Sequence, residues 1–518
     1  VRVGIDVGGT NTDAVLLDGE RLVASVKRST TQDVAGGVLA ALGGLLEAAG
    51  SDAAAVDAVM IGTTQFTNAV VARRDLVRTG VLRLGLPAGT GVPPMLDWPG
   101  DLVDRVGRHT VMAHGGHEYD GRPISALRPD EIRRAAEEFA VAGVRAVAIT
   151  SVFSPVAREA EVEAHALLAE LLPDVHFSLS HRIGRIGLVE RENATIVNAA
   201  LLDVADRVTR AFRSALELSG IDAPLYLSQN DGTLMDVMYA RAYPVLTFAS
   251  GPTNSMRGAA RLSGLDDCIV VDIGGTTSDV GALAGSFPRQ AGSEVDIGGV
   301  RTNFRMPDVV SIGIGGGSVV DPADPTAVGP ASVGFRLLEE GLVFGGSTLT
   351  ATDVAVAAGT ASVGDPSLVR HLDRAFVRAA MASMAERIAA RVDVMRSTPQ
   401  PVPVVLVGGG AILASSGLPG VDELVVPENA GVANALGAAI AQIGGEVDRI
   451  DSLGDRSRAD VLRAACDEAV ERAVAAGAEP GSVQVVSVEE VPISYLPGSS
   501  VRIKVKAVGD LRVEEVAR

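Results

Sequence analysis

Aromatic side chains and cysteine are scarce in this chain: one tryptophan, five tyrosines, eleven phenylalanines and two cysteines among 518 residues. Cys268 and Cys466 alone are too few for a disulfide framework, a four-thiolate zinc site or an all-cysteine iron–sulfur cluster within one chain. A reducing, cytoplasmic setting is therefore expected. Basic residues are outnumbered, 45 against 64 acidic, and the formal charge of −19 repels phosphate backbones and anionic lipid. Nucleic acid and membrane are not expected as partners. No uninterrupted apolar run approaches the ~20 residues of a membrane helix, and the first residues alternate like a strand, with no basic segment leading into an apolar one. The chain does have glycine, 59 residues of it, and a 47% hydrophobic fraction that is mostly aliphatic, enough for two or three domains.

Short Val- and Ile-rich runs alternate with longer segments of helical period, which predicts an α/β fold with largely buried strands. The expected division is a first lobe over 1–180 with an inserted subdomain near 79–129, where Gly, Pro and His interrupt the rhythm. A second lobe follows over 181–445, then a small α/β appendage over 446–518 with a helix at 455–478 and strands at 482–495 and 499–508. Residues 185–220 carry helical spacing without proline and predict one long helix or two in succession.

One phrase occurs twice. DVGGTNTD at Asp6–Asp13 returns as DIGGTTSD at Asp272–Asp279, each after an aliphatic strand. Paired glycines, Gly8-Gly9 and Gly274-Gly275, let backbone N–H groups face a phosphate with no Cβ in the way. The side chains of Thr10, Asn11 and Thr12, and of Thr276, Thr277 and Ser278, add donors. Asp6 and Asp272, at the strand ends, suit Mg²⁺ or its waters, since Mg²⁺ retains water and takes few carboxylates. Asp13 and Asp279, at the far ends, either meet the metal or phosphate through water or cap the turn. A hairpin, not a helix, follows the first copy at Asp18-Gly19, which argues against a dinucleotide-binding Rossmann unit, and GxxxxGK[ST] is absent.

The pair resembles the phosphate loops of the actin, hexokinase and Hsp70 superfamily, and VLVGGGAIL, with Gly408, Gly409 and Gly410, resembles its adenosine loop. That resemblance implies two related ribonuclease H-like ATPase domains closing on ATP and Mg²⁺. IGTTQFTNAVVAR, VERENATIVNAAL, LSQNDGTLM, SGPTNS, IGIGGGSVV and VGPASVG are, in order, similar to the hydantoinase A and 5-oxoprolinase family across roughly residues 1–440. This implies ATP-dependent opening of a cyclic amide, a hydantoin or an oxoproline-like lactam, through phosphorylation of the carbonyl oxygen. It also implies a separate B-type hydrolase partner, because this chain carries no such half, and either a homodimer or a hetero-complex. Thr63, Thr64 and Asn68, and Asn230, Asp231 and Gly232, become substrate-side candidates; helix capping and a plain turn are their structural alternatives. Glu190, Arg191 and Glu192 are expected to form a salt-bridged helix segment, with Asn193 and Asn198 facing the cleft. GIGGGSVV either wraps the nucleotide or marks a tight chain crossing. His109, His114, His117, Glu118 and Asp120 are expected in a solvated loop rather than a metal site, since HExxH is absent. Two alternatives remain open: a sugar-type kinase of the same superfamily, and an ATP-driven activator of another protein.

Overall fold

The computed structural model describes residues 1–30, 33–291, 294–304, 306–453, 457–493 and 500–512. It begins with a meander of β1 (Arg2–Val7), β2 (Asn11–Asp18) and β3 (Arg21–Ser29). Its second turn passes through Gly19 at φ +59°, a left-handed position that glycine enters without strain. Helix α1 (Val34–Ala49) starts at Asp33, whose carboxylate accepts from the Ala35 and Gly36 amides, and stops at Gly50 at φ +60°. Strand β4 (Ala58–Thr63), fully buried, runs parallel to β1 and leads into the short helix α2 (Gln65–Val71).

The inserted part is larger than the 79–129 expected. Strands β5 (Thr79–Leu86), β6 (His109–His114), β7 (Ala146–Ser151) and β8 (His176–Leu179) form a separate four-stranded parallel sheet in the order β6-β5-β7-β8. Helices α3 (Pro129–Ala142) and α4 (Glu159–Leu171) cover it, burying Ile132, Ala135, Phe139, Ala164 and Leu168 in a core of its own. The insertion therefore runs over 79–179, because β7 takes β5 as its neighbour and not a strand of the first sheet.

Two helices in succession follow, α5 (Leu188–Ala200) and α6 (Leu202–Leu218), and then β9 (Leu225–Ser228), β10 (Thr233–Asp236) and α7 (Ser250–Ser263). The second lobe contains β11 (Cys268–Ile273), β12 (Ser278–Ala284), β13 (Phe287–Pro288), β14 (Val309–Ile312), α8 (Arg374–Met395), β15 (Val404–Val407) and β16 (Leu424–Val425). The chain returns through α9 (Ala433–Ala439) to β17 (Gln442–Ser452), α10 (Arg458–Ala475), β18 (Gln484–Pro492) and β19 (Ser500–Gly509). Of the predicted terminal elements, Asp455 and Arg456 of the helix, Ser494 and Tyr495 of the first strand and Ser499 of the second lie outside the described residues.

Duplication is visible in the strand order. The first sheet contains β3-β2-β1-β4-β9 and the second β13-β12-β11-β15-β16, with antiparallel pairing up to the central strand and parallel pairing beyond it in both. Even the register repeats: Asp6 faces Asp13 across β1/β2, and Asp272 faces Asp279 across β11/β12.

Strands do not sort by the linear segments expected. Among the described residues the first sheet has nine strands, in the order β18-β19-β17-β10-β9-β4-β1-β2-β3, so β9 and β10 from 181–445, β17 across the 445/446 boundary, and β18 and β19 from 446–518 all join the N-terminal strands. Far from hanging loose, the C-terminal part extends that sheet: β17 is parallel to β10 at Thr233–Gln442, and α10 packs Val461, Ala465, Ala469 and Ala473 onto Val447, Ile503 and Val505. Between the lobes α7 crosses α9 at backbone contact. A Cβ on Gly258 would overlap the Ala433 carbonyl, and one on Gly437 the Asn254 carbonyl.

Candidate active site

The C-terminal ends of the parallel strands β1, β4 and β9 point toward those of β11 and β15, the usual place for a ligand in an open α/β sheet. Asp6 is the next-to-last residue of β1 and is 5% exposed; its Oδ2 accepts from Asn434 Nδ2 at 2.9 Å, while its Oδ1 has no partner among the described residues. Burial, reinforced by the charges of Asp13 and Asp272, pushes the Asp6 carboxyl up to about 7. Asp13 is paired with Lys27 at 2.5 Å, but burial outweighs the ammonium and holds its carboxyl above the ordinary range. Asp272 is likewise raised by burial, although Ser255 Oγ donates to it. Asp279, which accepts from the Ser311 hydroxyl, is pushed to about 6 by burial and by Asp272. Four carboxyls raised together form a site short of positive charge. An orphaned carboxylate oxygen among them fits a divalent cation.

The two glycine loops share their geometry. Gly8 N–H donates to Asn11 O at 3.0 Å, and Gly274 N–H to Thr277 O at 2.9 Å. They also meet: a Cβ on Gly275 would lie 2.6 Å from Thr10 Oγ1, so this glycine is what lets the loops approach. Gly9, Thr276 and Thr277 are exposed, and Thr10 and Asn11 half-buried, at the loop surface. Thr12 and Ser278 turn inward instead. The Thr12 hydroxyl lies 3.4 Å from that of Thr30, and Ser278 Oγ donates to Ile314 O at 2.6 Å, so neither faces a phosphate between the loops.

Residues 313–317 form the tight crossing. Gly316 N–H donates to Gly274 O at 2.9 Å and Gly317 N–H to Gly275 O at 2.7 Å, so this segment braces the second loop from behind. Gly408 and Gly410 close against the end of β11, with Gly410 N–H donating to Ile273 O at 2.7 Å, while Gly409 stays open and exposed. Just beyond it in the chain, Ser416 joins Arg370, Arg374, Arg378, Val377 and Met381 around a cavity of about 740 Å³.

Of the substrate-side candidates, Thr63 is buried one strand from Asp6, and its Oγ1 accepts from Gln65 N–H at 3.3 Å. Thr64 Oγ1 accepts from Asn68 Nδ2 at 3.3 Å, which ties those two residues together at the start of α2. Asn230, Asp231 and Gly232 do form a turn, with Gly232 at φ +84°. Asp231 is nonetheless ion-paired to Lys506 at 3.0 Å, and Asn230, 4% exposed, has no partner for its Nδ2 among the described residues. Both line a cavity of about 680 Å³ where β10 and β17 part. Asn230 follows β9, two strand spacings or about 10 Å from Asp6.

Several expectations are corrected. Asn193 is taken up by Trp98 Nε1 at 2.8 Å and Arg301 O at 2.9 Å, and Asn198 by Ser178 and the Ala242 carbonyl; both hold the core and neither faces the cleft. The salt-bridged role is met in part: Glu192 pairs with buried Arg83, while Arg191 donates to Ser180 Oγ and to the Ser151 carbonyl. His114 pairs with Glu131 at 2.9 Å and Asp120 with Arg122, and no group of three His, Cys, Asp or Glu suited to a metal occurs among the described residues. Sequence reading missed Asn434, Ser255, Lys27 and Ser311, which hold the four carboxylates from other elements. Replacing Asn434 or Ser255 by Ala is expected to cost about tenfold in nucleotide-dependent turnover with the fold retained, read as ADP release beside a melting curve.

This architecture, two lobes of one strand order with facing glycine loops, is the actin/hexokinase-like fold. Family models agree: "Hydantoinase/oxoprolinase N-terminal region" matches residues 2–172 and "Hydantoinase/oxoprolinase" residues 191–397. The chain belongs to the hydantoinase/oxoprolinase family. It is 30% identical to the caprolactamase subunit alpha of Pseudomonas jessenii, over 69% of this chain and 54% of that protein. It is 26% identical to the acetophenone carboxylase gamma subunit of Aromatoleum aromaticum, over 69% and 53%. The chain thus spans about half the length of the curated relatives it matches. Among solved structures, the ATP-dependent caprolactamase of Pseudomonas jessenii superposes with a TM-score of 0.76 at 22% identity, over 99% of this chain and 88% of that one. Nucleotide-free acetone carboxylase superposes at 0.71 with 18% identity, over 99% and 88%. No helix of the described residues is long and apolar enough to cross a membrane.

Proposed function

We propose that this chain is the ATP-using part of an enzyme that opens a cyclic amide. The carrying observation is the pair of glycine loops in contact at Gly275 and Thr10, backed by carboxyls that burial raises and by an Asp6 Oδ1 with no partner among the described residues. Gly8, Gly9, Thr10 and Asn11 from one lobe, and Gly274 to Thr277 from the other, would hold the phosphates. Asp6 and Asp272 would hold Mg²⁺ directly or through its waters, with Asp13 and Asp279 behind them. Gly408 to Gly410 and the cavity beyond Ser416 are the place for the nucleoside. Bound MgATP would supply the phosphoryl group that makes an amide oxygen a leaving group, chemistry that rests on positioning and charge neutralisation.

A lactam or hydantoin is the substrate class supported by the family and by the caprolactamase relative. Two relatives are named as subunits, which supports a hetero-complex; its other member would be a separate hydrolase chain. Carboxylation is the second reading, favoured by the two carboxylase relatives. ADP release from MgATP should rise several-fold with 5-oxoproline, 2-pyrrolidinone, ε-caprolactam or hydantoin, alone or with the partner chain. Release only with a ketone and bicarbonate would select the second reading, and a stable phosphorylated sugar would replace both by a kinase.

A further inference from the structure

The cavity of about 680 Å³ holds a histidine that the nucleotide site does not use. His181 follows β8 at the joint between the inserted sheet and α5, and its side chain is 7% exposed. Its Nδ1 lies 2.7 Å from Glu161 Oε2, and Glu161, on α4, is fully buried. Burial works against charge on Glu161, but His181, Ser180 Oγ and the His181 amide, all donating to it, hold the carboxyl below its ordinary range. Glu161 is therefore ionised at neutral pH and can only accept, so Nδ1 carries the proton. Nε2 has no hydrogen-bond partner among the described residues. Such an imidazole, oriented by a buried carboxylate and open to a cavity on its other nitrogen, has the arrangement of a general base.

The same cavity is lined by Asn230, whose Nδ2 is a buried donor with no partner among the described residues. A secondary amide locked in a ring presents its C=O and N–H along one edge. One unpartnered donor and one unpartnered acceptor in a single cavity suit that edge.

We propose that this cavity is the ring-amide site and that His181 is its general base, with Glu161 as the positioning residue. The inference rests on the ring-opening reading above. The N–H bond of the ring breaks, its proton passes to Nε2, and the electron pair left on nitrogen delocalises onto the amide oxygen, making that oxygen the better nucleophile. The imidazolium so formed stays beside the Glu161 carboxylate, which balances its charge.

His181→Gln in the full chain should lower ring-amide-dependent ADP release at least about 100-fold while its affinity for MgADP stays within about threefold of wild type. In ¹⁵N-histidine-labelled wild-type protein, long-range ¹H–¹⁵N spectra should show His181 as the Nδ1–H tautomer, with an Nε2 signal that moves when 2-pyrrolidinone or hydantoin is added. Glu161→Gln should turn that signal into a mixture of tautomers, and Glu161→Asp should restore it. An Nε2–H tautomer in wild type, an Nε2 signal that no ring amide moves, or a folded His181→Gln chain within threefold of wild-type turnover would each overturn the assignment. Failure of the ring-opening reading looks different: wild type then releases no ADP with any ring amide.

Discussion

Replacing Asp6 by Asn is expected to lower nucleotide turnover at least about 100-fold, because it removes the charge that would meet the metal, and at the same time to make the metal-free chain harder to unfold. The second effect follows from burial. Its carboxyl sits at about 7 in the folded chain against an ordinary 3.8. Between those values the folded state keeps a proton that the unfolded state has released, so stability falls as pH rises from about 4 to about 7. By pH 8 the ionised group costs up to about 4 kcal/mol, a shift of about three units at about 1.4 kcal/mol each. Asn carries no such cost. Melting curves in chelator at pH 8 should place Asp6→Asn several degrees above wild type, the gap closing toward pH 5. Mg²⁺ with ADP should raise the wild type and leave the variant nearly unmoved. A variant that melts below wild type at pH 8 would mean that contacts of the ionised Asp6 carboxylate outweigh the cost of burying it.

Gly437→Ala is expected to destabilise the chain by about 3 kcal/mol or more and to lower its melting temperature by about 3 °C or more. Its Cβ would overlap the carbonyl of Asn254, a backbone atom that cannot rotate away, so α9 must withdraw from α7. These helices also hold the site: Asn434 on α9 donates to Asp6, and Ser255 on α7 donates to Asp272. Nucleotide affinity should therefore fall together with stability. Gly43→Ala is the control, since that glycine is exposed in α1 with nothing within 4 Å of an added Cβ. It should stabilise by up to about 1 kcal/mol, because alanine restricts the unfolded chain more than glycine does. Calorimetry on the three proteins separates the outcomes.

Much of the paired-loop site was legible in the sequence, because it is written as contiguous phrases. Asp6 to Asp13 and Asp272 to Asp279 each hold strand, turn and returning strand within eight residues, and the structure gives both the same register. Their side-chain directions were not legible: Thr12 and Ser278 fall on the inward side of the pleat once the hairpin forms, while the adjacent Asn11 and Thr277 do not. Partners from distant elements escaped as well. Asn434 lies 428 positions from Asp6, and nothing local distinguishes it from an ordinary helix asparagine. The extent of the insertion was misread because β7 and its helices carry the same period as the first lobe; only the pairing of β7 with β5 assigns them. The C-terminal strands were misplaced for the same reason, since an edge strand does not record in its own sequence which sheet it will extend.

One triphosphate held from two lobes is tested most directly by an equilibrium titration of MgATP into the full chain and into Gly275→Val. One nucleotide per chain is predicted for wild type, with affinity at least about 100-fold weaker for the variant, whose side chain would occupy the space between its loop and Thr10. A wild-type chain that binds no MgATP, or a Gly275→Val chain that binds it as tightly as wild type, would contradict the account.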